Sequence, residues 1–151
     1  MHTLLLPLLA SAFLPTGPQG YYRQPTIHND TIVFVAEGDL WKVRTAGGVA
    51  TRLTSHPGNE GSPQFSPDGS LVAFTAQYEG PTEVYVMPVS GGLPKRLTCD
   101  AARCAVSGWK AGSGETPARI IASTTRFSTL PNAQLTLLDP QTGARELVPL
   151  A

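Results

Sequence analysis

Short apolar bursts separated by turn residues are the main feature of this chain. "TIVFVA" from Thr31 to Ala36, "LVAFTA" from Leu71 to Ala76 and Ile120-Ile121-Ala122-Ser123 are rich in β-branched and aromatic residues, as strands packed on both faces require. "EVYVMPV" from Glu83 to Val89 alternates, with Val84, Val86 and Pro88 on one face and Tyr85, Met87 and Val89 on the other. Pro67-Asp68-Gly69, Ser90-Gly91-Gly92 and the stretch "DPQTG" at 139–143 punctuate the bursts. Asp-Gly between apolar runs predicts a tight hairpin, because Gly69 can adopt the positive φ of the reversal and Asp68 can accept hydrogen bonds from the residues that follow. Gly and Pro interrupt nearly every stretch long enough for three helical turns, so the predicted class is all-β.

The bursts repeat. Arg52-Leu53-Thr54 recurs as Arg96-Leu97-Thr98 at an offset of 44, as does Gly47-Gly48 in Gly91-Gly92, and Glu83–Val86 overlies Asp39–Lys42. Val72–Ala76 overlies Ile32–Ala36 at an offset of 40, the difference being taken up by the longer loop "QYEGPT". Each copy holds four short strands in ~40 residues, the dimension of a propeller blade. The copies span about 24–54, 62–98 and 105–148. The third is more divergent, with Trp109 where the second has Phe65, Gln134–Leu138 as its third strand, and "KAGSGETPA" in place of Pro-Asp-Gly. The basic residues of "LPKRLT" suit an exposed outer edge. Because each small sheet is apolar on both faces, blades must stack, and closed rings need about four to eight of them. Three blades make an incomplete β-propeller, so the isolated chain is expected to be oligomeric or aggregation-prone.

Composition sharpens this picture only modestly. The 151 residues suit one domain, and the 11 basic and 11 acidic side chains cancel, which gives no reason to expect nucleic acid or an anionic membrane as partner. Residues 1–20 read as a secretory leader and linker, with an apolar run from Leu4 to Leu9 and Ala10-Ser11-Ala12 as a small-x-small cleavage site, cut after Ala12, although the start lacks Lys and Arg. Pro7 and Pro15 interrupt the run, so it does not predict a membrane span. The expected location is periplasmic or extracellular. In that setting Cys99 and Cys104 are spaced either for a small disulfide loop or as two unpaired thiols, and C-x4-C alone has too few ligands for structural zinc.

"FSPDGSLVAF", "EVYVMPVSGG" and "KRLT" resemble the propeller repeats of TolB-like proteins and tricorn-type proteases. Glu37-Gly38-Asp39-Leu40-Trp41, followed by Thr54-Ser55-His56-Pro57-Gly58, is similar more narrowly to the opening blades of bacterial tricorn-protease homologues, over about Tyr21 to Leu150. The resemblance implies two propellers ahead of a peptide-binding module and a C-terminal serine-peptidase domain, with the propellers guiding and filtering peptides. It implies as partners peptide substrates, the remaining blades and the peptidase domain. No position matches the catalytic motif, so the implied role of this segment is architectural, with substrate gating. Two alternatives stay open: a TolB-like periplasmic interaction module without an enzyme, and the propeller of a prolyl-oligopeptidase-type hydrolase.

Residue chemistry agrees that no catalytic centre is to be expected. The histidines are His2, His28 and His56, and no G-x-S-x-G elbow surrounds a serine. His56, Asn59 and Glu60 lie in the inter-blade stretch "SHPGNEG" and are the candidate peptide-contact loop. One imidazole and one carboxylate are too few for a metal, and no cofactor is expected. Gly112-Ser113-Gly114 lacks the Lys-Ser/Thr ending of a phosphate loop. His28 reads as a surface or turn residue, and Trp41 and Trp109 as blade-packing residues that could instead line a binding surface. Asn29-Asp30-Thr31 matches a glycosylation sequon.

Overall fold

The computed structural model describes residues 20–127 and 132–149, so the leader and its cleavage site at Ala12 lie outside the described residues. Twelve strands follow one another: β1 (Arg23–His28), β2 (Thr31–Ala36), β3 (Asp39–Arg44), β4 (Thr51–Arg52), β5 (Glu60–Phe65), β6 (Leu71–Ala76), β7 (Glu83–Pro88), β8 (Lys95–Arg96), β9 (Cys104–Lys110), β10 (Arg119–Thr124), β11 (Gln134–Leu138) and β12 (Arg145–Leu147). They form three four-stranded antiparallel sheets, β1–β4, β5–β8 and β9–β12, each in sequence order. The predicted all-β architecture of three open propeller blades is what the chain adopts. Among the described residues no helix is long and apolar enough to cross a membrane.

Two apolar layers join the blades. Val33, Val35 and Leu40 of blade 1 meet Val72, Phe74, Ala76, Tyr85 and Met87 of blade 2. The other face of blade 2, with Ala73, Val84 and Val86, meets Val106, Ile120, Ala122 and Leu138 of blade 3. The alternation along β7 therefore divides as the sequence predicts, odd positions to one neighbour and even positions to the other. Trp109 also packs in a joint, its indole N–H donating to the Gln64 carbonyl at 3.0 Å.

The innermost strands share a further device. In β1 and β5 the pairing register shifts at Gln24-Pro25 and Ser62-Pro63, and Gln24 and Ser62 both have φ of 49°. A bulge suits proline because the ladder skips a donor there. The two bulges touch: the Ser62 N–H donates to Gln24 Oε1 at 2.8 Å.

The Pro67-Asp68-Gly69 reversal forms as expected. Gly69 has φ of 73°, and Asp68 accepts from the Ser70 N–H at 3.2 Å and the Ser66 and Ser70 hydroxyls at 2.5 and 2.7 Å. The Ser66 bond and then the Ser70 bonds hold the Asp68 carboxyl down at about 2. His28 packs its ring on Phe65 and closes over this turn, so a Cβ on Gly69 would lie 2.2 Å from the imidazole. Gly69→Ala should thus combine backbone strain with a clash and cost about 2 kcal/mol in urea denaturation. Adding His28→Ala should recover the steric share but not the strain; a double variant no better than the single one would contradict this origin.

Candidate functional site

Antiparallel order brings the β2–β3, β4–β5, β6–β7, β8–β9 and β10–β11 connections to one edge of the blades. Backbone bonds tie these connections together: Glu60 N–H to the Gly38 carbonyl at 2.9 Å, Gln77 N–H to Asn59 at 3.0 Å and Cys104 N–H to Thr82 at 2.9 Å. The candidate loop sits here, between blades 1 and 2. His56 and Asn59 are exposed, whereas Glu60 is 5% exposed. The sequence grouping thus splits, with two residues at the surface and one beneath them.

Beneath the loop is a polar joint. Glu60 accepts the Leu40 N–H at 3.0 Å together with the hydroxyls of Thr54 and Tyr78, and Thr54 also accepts from Leu40 at 2.8 Å. Asp39, buried, accepts from the Arg52 guanidinium and from the His56 N–H at 3.2 Å. Burial raises the Glu60 carboxyl above its usual range despite those donors, with Asp39 adding to the effect. Burial likewise raises the Tyr78 phenol, reinforced by its bond to Glu60. The His56 ring lies 4.0 Å from the Tyr78 ring, and its Nδ1 accepts the Gly58 N–H at 2.9 Å. Neutral His56 therefore keeps Nε2–H as its free donor. The loop can offer a peptide hydrogen bonds from His56 and Asn59. The arrangement contains no nucleophile activated by a base.

The same joint is built again at the next boundary. Glu83, buried, accepts the Thr98 hydroxyl, the Asp100 N–H at 2.9 Å and Arg96 at 3.3 Å, while Thr98 accepts the Val84 N–H at 2.9 Å. Asp100 is held by Arg126 at 2.8 Å and Arg145 at 2.5 Å, and burial, which alone would raise it, is outweighed by these cations, so its carboxyl stays below the usual range. Acid, Arg and Thr at 39, 52 and 54 thus match 83, 96 and 98. The outer-strand cations do more than guard an edge: Arg52 and Arg96 turn back onto buried acids, and Lys95 reaches the Gln141 carbonyl of blade 3. The repeated Arg-Leu-Thr, set against the repeated acid at the head of the third strand, carried that signal. Tyr78, in the loop counted only as an insertion, had none.

Among the described residues no cluster of His, Cys, Asp and Glu could hold a metal ion. Of the two readings of the cysteine pair, the structure has the unpaired one, with Cys99 exposed and Cys104 buried. The Cys104 thiol donates to Asp100 at 3.5 Å and lies 3.4 Å from the Thr124 hydroxyl, and burial pushes it up. One of the two thiols should therefore react with a maleimide within minutes, and the second only on unfolding. Two equally fast thiols, or none, would contradict that placement.

Relatives place this architecture in a family. A profile for the tricorn protease N-terminal beta propeller domain matches residues 19–151. Tricorn protease homolog 1 of Streptomyces coelicolor is 41% identical over 98 residues, 64% of this chain and 9% of that protein. The Tol-Pal system protein TolB of Francisella tularensis subsp. mediasiatica is 36% identical over 61 residues, 39% of this chain and 14% of that protein. Among solved structures, the tricorn protease superposes with a TM-score of 0.68 at 23% identity, covering 80% of this chain and 12% of that one. TolB from Acinetobacter baumannii gives 0.64 at 24% identity, covering 80% of this chain and 30% of that one. The chain spans under a tenth of the length of the Streptomyces relative. Three blades of the predicted topology, under a profile that covers nearly the whole sequence, make this chain a member of the tricorn protease N-terminal β-propeller family.

Proposed function

We propose that the chain is a non-catalytic propeller segment of an exported tricorn-type serine peptidase, forming part of a wall that filters peptides bound for a peptidase domain elsewhere in that protein. The observation that carries this reading is an incomplete blade stack within that family: three four-stranded sheets joined face to face in chain order and not closed into a ring. His56 and Asn59, at the edge where the inter-blade connections gather, are the proposed peptide contacts, and Glu60 holds their loop from below.

The test is to isolate, from its source cells, the polypeptide carrying this sequence with an antibody to the β6–β7 connection. Expected are hydrolysis of fluorogenic peptides by the captured material and an N-terminus at Phe13 in a periplasmic or secreted fraction. His56→Ala with Asn59→Ala should raise KM for long peptides while sparing kcat. Capture of an envelope protein without peptide hydrolysis would overturn the proposal. It would favour a TolB-like interaction module, which the 36% identity to TolB over 61 residues keeps as the second reading.

A further inference from the structure

Four aromatic rings climb from the core to the surface at the joint between blades 1 and 2. Phe74 stacks on Tyr85 with centroids 5.8 Å apart, Tyr85 lies 4.6 Å from Tyr78, and Tyr78 lies 4.0 Å from His56. Phe74 and Tyr85 are buried, Tyr78 is half-buried and His56 is exposed. The column ends in an imidazole with one face on Tyr78 and the other toward solvent.

The joint does not need its two upper rings to close. Thr54, His56 and Glu60 recur as Thr98, Asp100 and Cys104 at the offset of 44, and the backbone bonds recur with them. The His56 N–H donates to Asp39 at 3.2 Å as the Asp100 N–H donates to Glu83 at 2.9 Å. The Gln77 N–H reaches the Asn59 carbonyl at 3.0 Å as the Thr125 N–H reaches that of Arg103 at 3.2 Å. Tyr78 and Arg126 come next in the chain after those donors. Where the first joint has His56 on Tyr78, the second therefore has Asp100 bonded to Arg126 at 2.8 Å. Blades 2 and 3 close with no ring at either position, so closure leaves the stacked pair unexplained.

The geometry of that pair is set in advance. His56 precedes Pro57, which confines its backbone to the extended region. Its N–H is held by Asp39, and its Nδ1 accepts the Gly58 N–H at 2.9 Å, which aims the ring. Gly58 comes this close only because it lacks a side chain, since a Cβ there would collide with the Gln77 carbonyl oxygen. Tyr78 is fixed from below by its hydroxyl bond to Glu60. Exposed side chains generally turn freely. This one has lost that freedom before any ligand arrives, which lowers the entropy cost of binding.

We infer that the outward face of His56 is a stacking subsite for an aromatic side chain of a bound peptide, one backbone carbonyl of which accepts from the imidazole Nε2–H. Aromatic rings gain from offset or tilted packing on one another beyond the area they bury. The two acids beneath the loop are already occupied, Asp39 by Arg52 and Glu60 by Leu40, Thr54 and Tyr78, so they offer an arginine no pairing. This subsite rests on the peptide-contact reading of the loop and adds what the loop selects.

Fluorescence anisotropy tests it on the whole polypeptide that carries this sequence, treated with a serine-directed fluorophosphonate so that the probes stay intact. The probes are labelled glycine-serine hexapeptides with one central phenylalanine, alanine or arginine. The phenylalanine probe should bind about tenfold more tightly than the alanine probe, the scale of one aromatic contact together with the area it buries. His56→Ala should remove most of that ratio, whereas Asn59→Ala should weaken both probes and keep it. Equal binding of the phenylalanine and alanine probes, tighter binding of the arginine probe, or a ratio that His56→Ala leaves intact would each overturn the subsite and leave the peptide-contact reading standing. Binding of none of the three would remove that reading and the subsite with it.

Discussion

Phe74→Ala is expected to destabilise the chain by about 4 kcal/mol, the range seen when a buried aromatic is truncated in a packed core. Phe74 has no exposed surface and stacks on its cross-strand partner Tyr85, with ring centroids 5.8 Å apart. Its ring stands between two blades, among Val33, Val35 and Leu40 on one side and its own sheet on the other. Removing it loses transfer energy and opens a cavity that two separate sheets must collapse to fill. Small domains have stabilities of roughly 5–15 kcal/mol, so this single change should take a large share. Leu93→Ala is the control, because Leu93 is 93% exposed and its loss should stay within about 0.5 kcal/mol. Urea denaturation followed by tryptophan emission reads both. A Phe74→Ala penalty below about 1 kcal/mol would mean that the blades do not depend on this layer.

Much of the fold was legible because the signals were local and repeated. The two-residue period of β7 fixed which side chains face which neighbour, and the offsets of 40 and 44 fixed how many sheets to expect. Asp68 and Gly69 announced their turn through chemistry that operates within four residues. The candidate site was legible only in part. His56 and Asn59 were placed at a surface between blades, but Glu60, three residues along from Pro57 in an apparently polar loop, proved to be buried. Its burial is decided by Tyr78 and Leu40, 18 and 20 residues away, which no local pattern connects to it. Arg52 and Arg96 misled for a similar reason. A cation on a short outer strand reads as a solvated edge until its buried acid is found 13 residues back. The cysteine spacing was compatible with a bridge, yet Cys99 sits at the surface while Cys104 opens β9 inside the joint.

Replacing Glu60 should separate the two things its carboxylate does. As a hydrogen-bond hub it gathers the Leu40 N–H, the Thr54 hydroxyl and the Tyr78 hydroxyl, so Glu60→Ala should cost about 3 kcal/mol by leaving buried donors without an acceptor. As a buried charge it opposes folding. Its carboxyl is raised in the folded chain, first by desolvation, so the folded state holds a proton that the unfolded chain has already released above about 4.5. Stability should accordingly fall as pH rises from that point through the folded value, the opposite of the trend from Asp68 and Asp100, whose lowered carboxyls withdraw stability as pH falls below 3.8. Glu60→Gln keeps an oxygen for Leu40 and Thr54 and turns an amide donor toward the Tyr78 oxygen, which can accept once its own proton rotates away. That variant should match or exceed the parent at neutral pH and lose the decline above 4.5, while keeping the acid-side loss below 3.8. Denaturation midpoints across pH 3 to 8 distinguish the cases. A Glu60→Gln chain as damaged as Glu60→Ala would show that the charge rather than the hydrogen-bond geometry holds the first two blades together, and one that retains the parent's slope above 4.5 would assign that slope to a group other than Glu60.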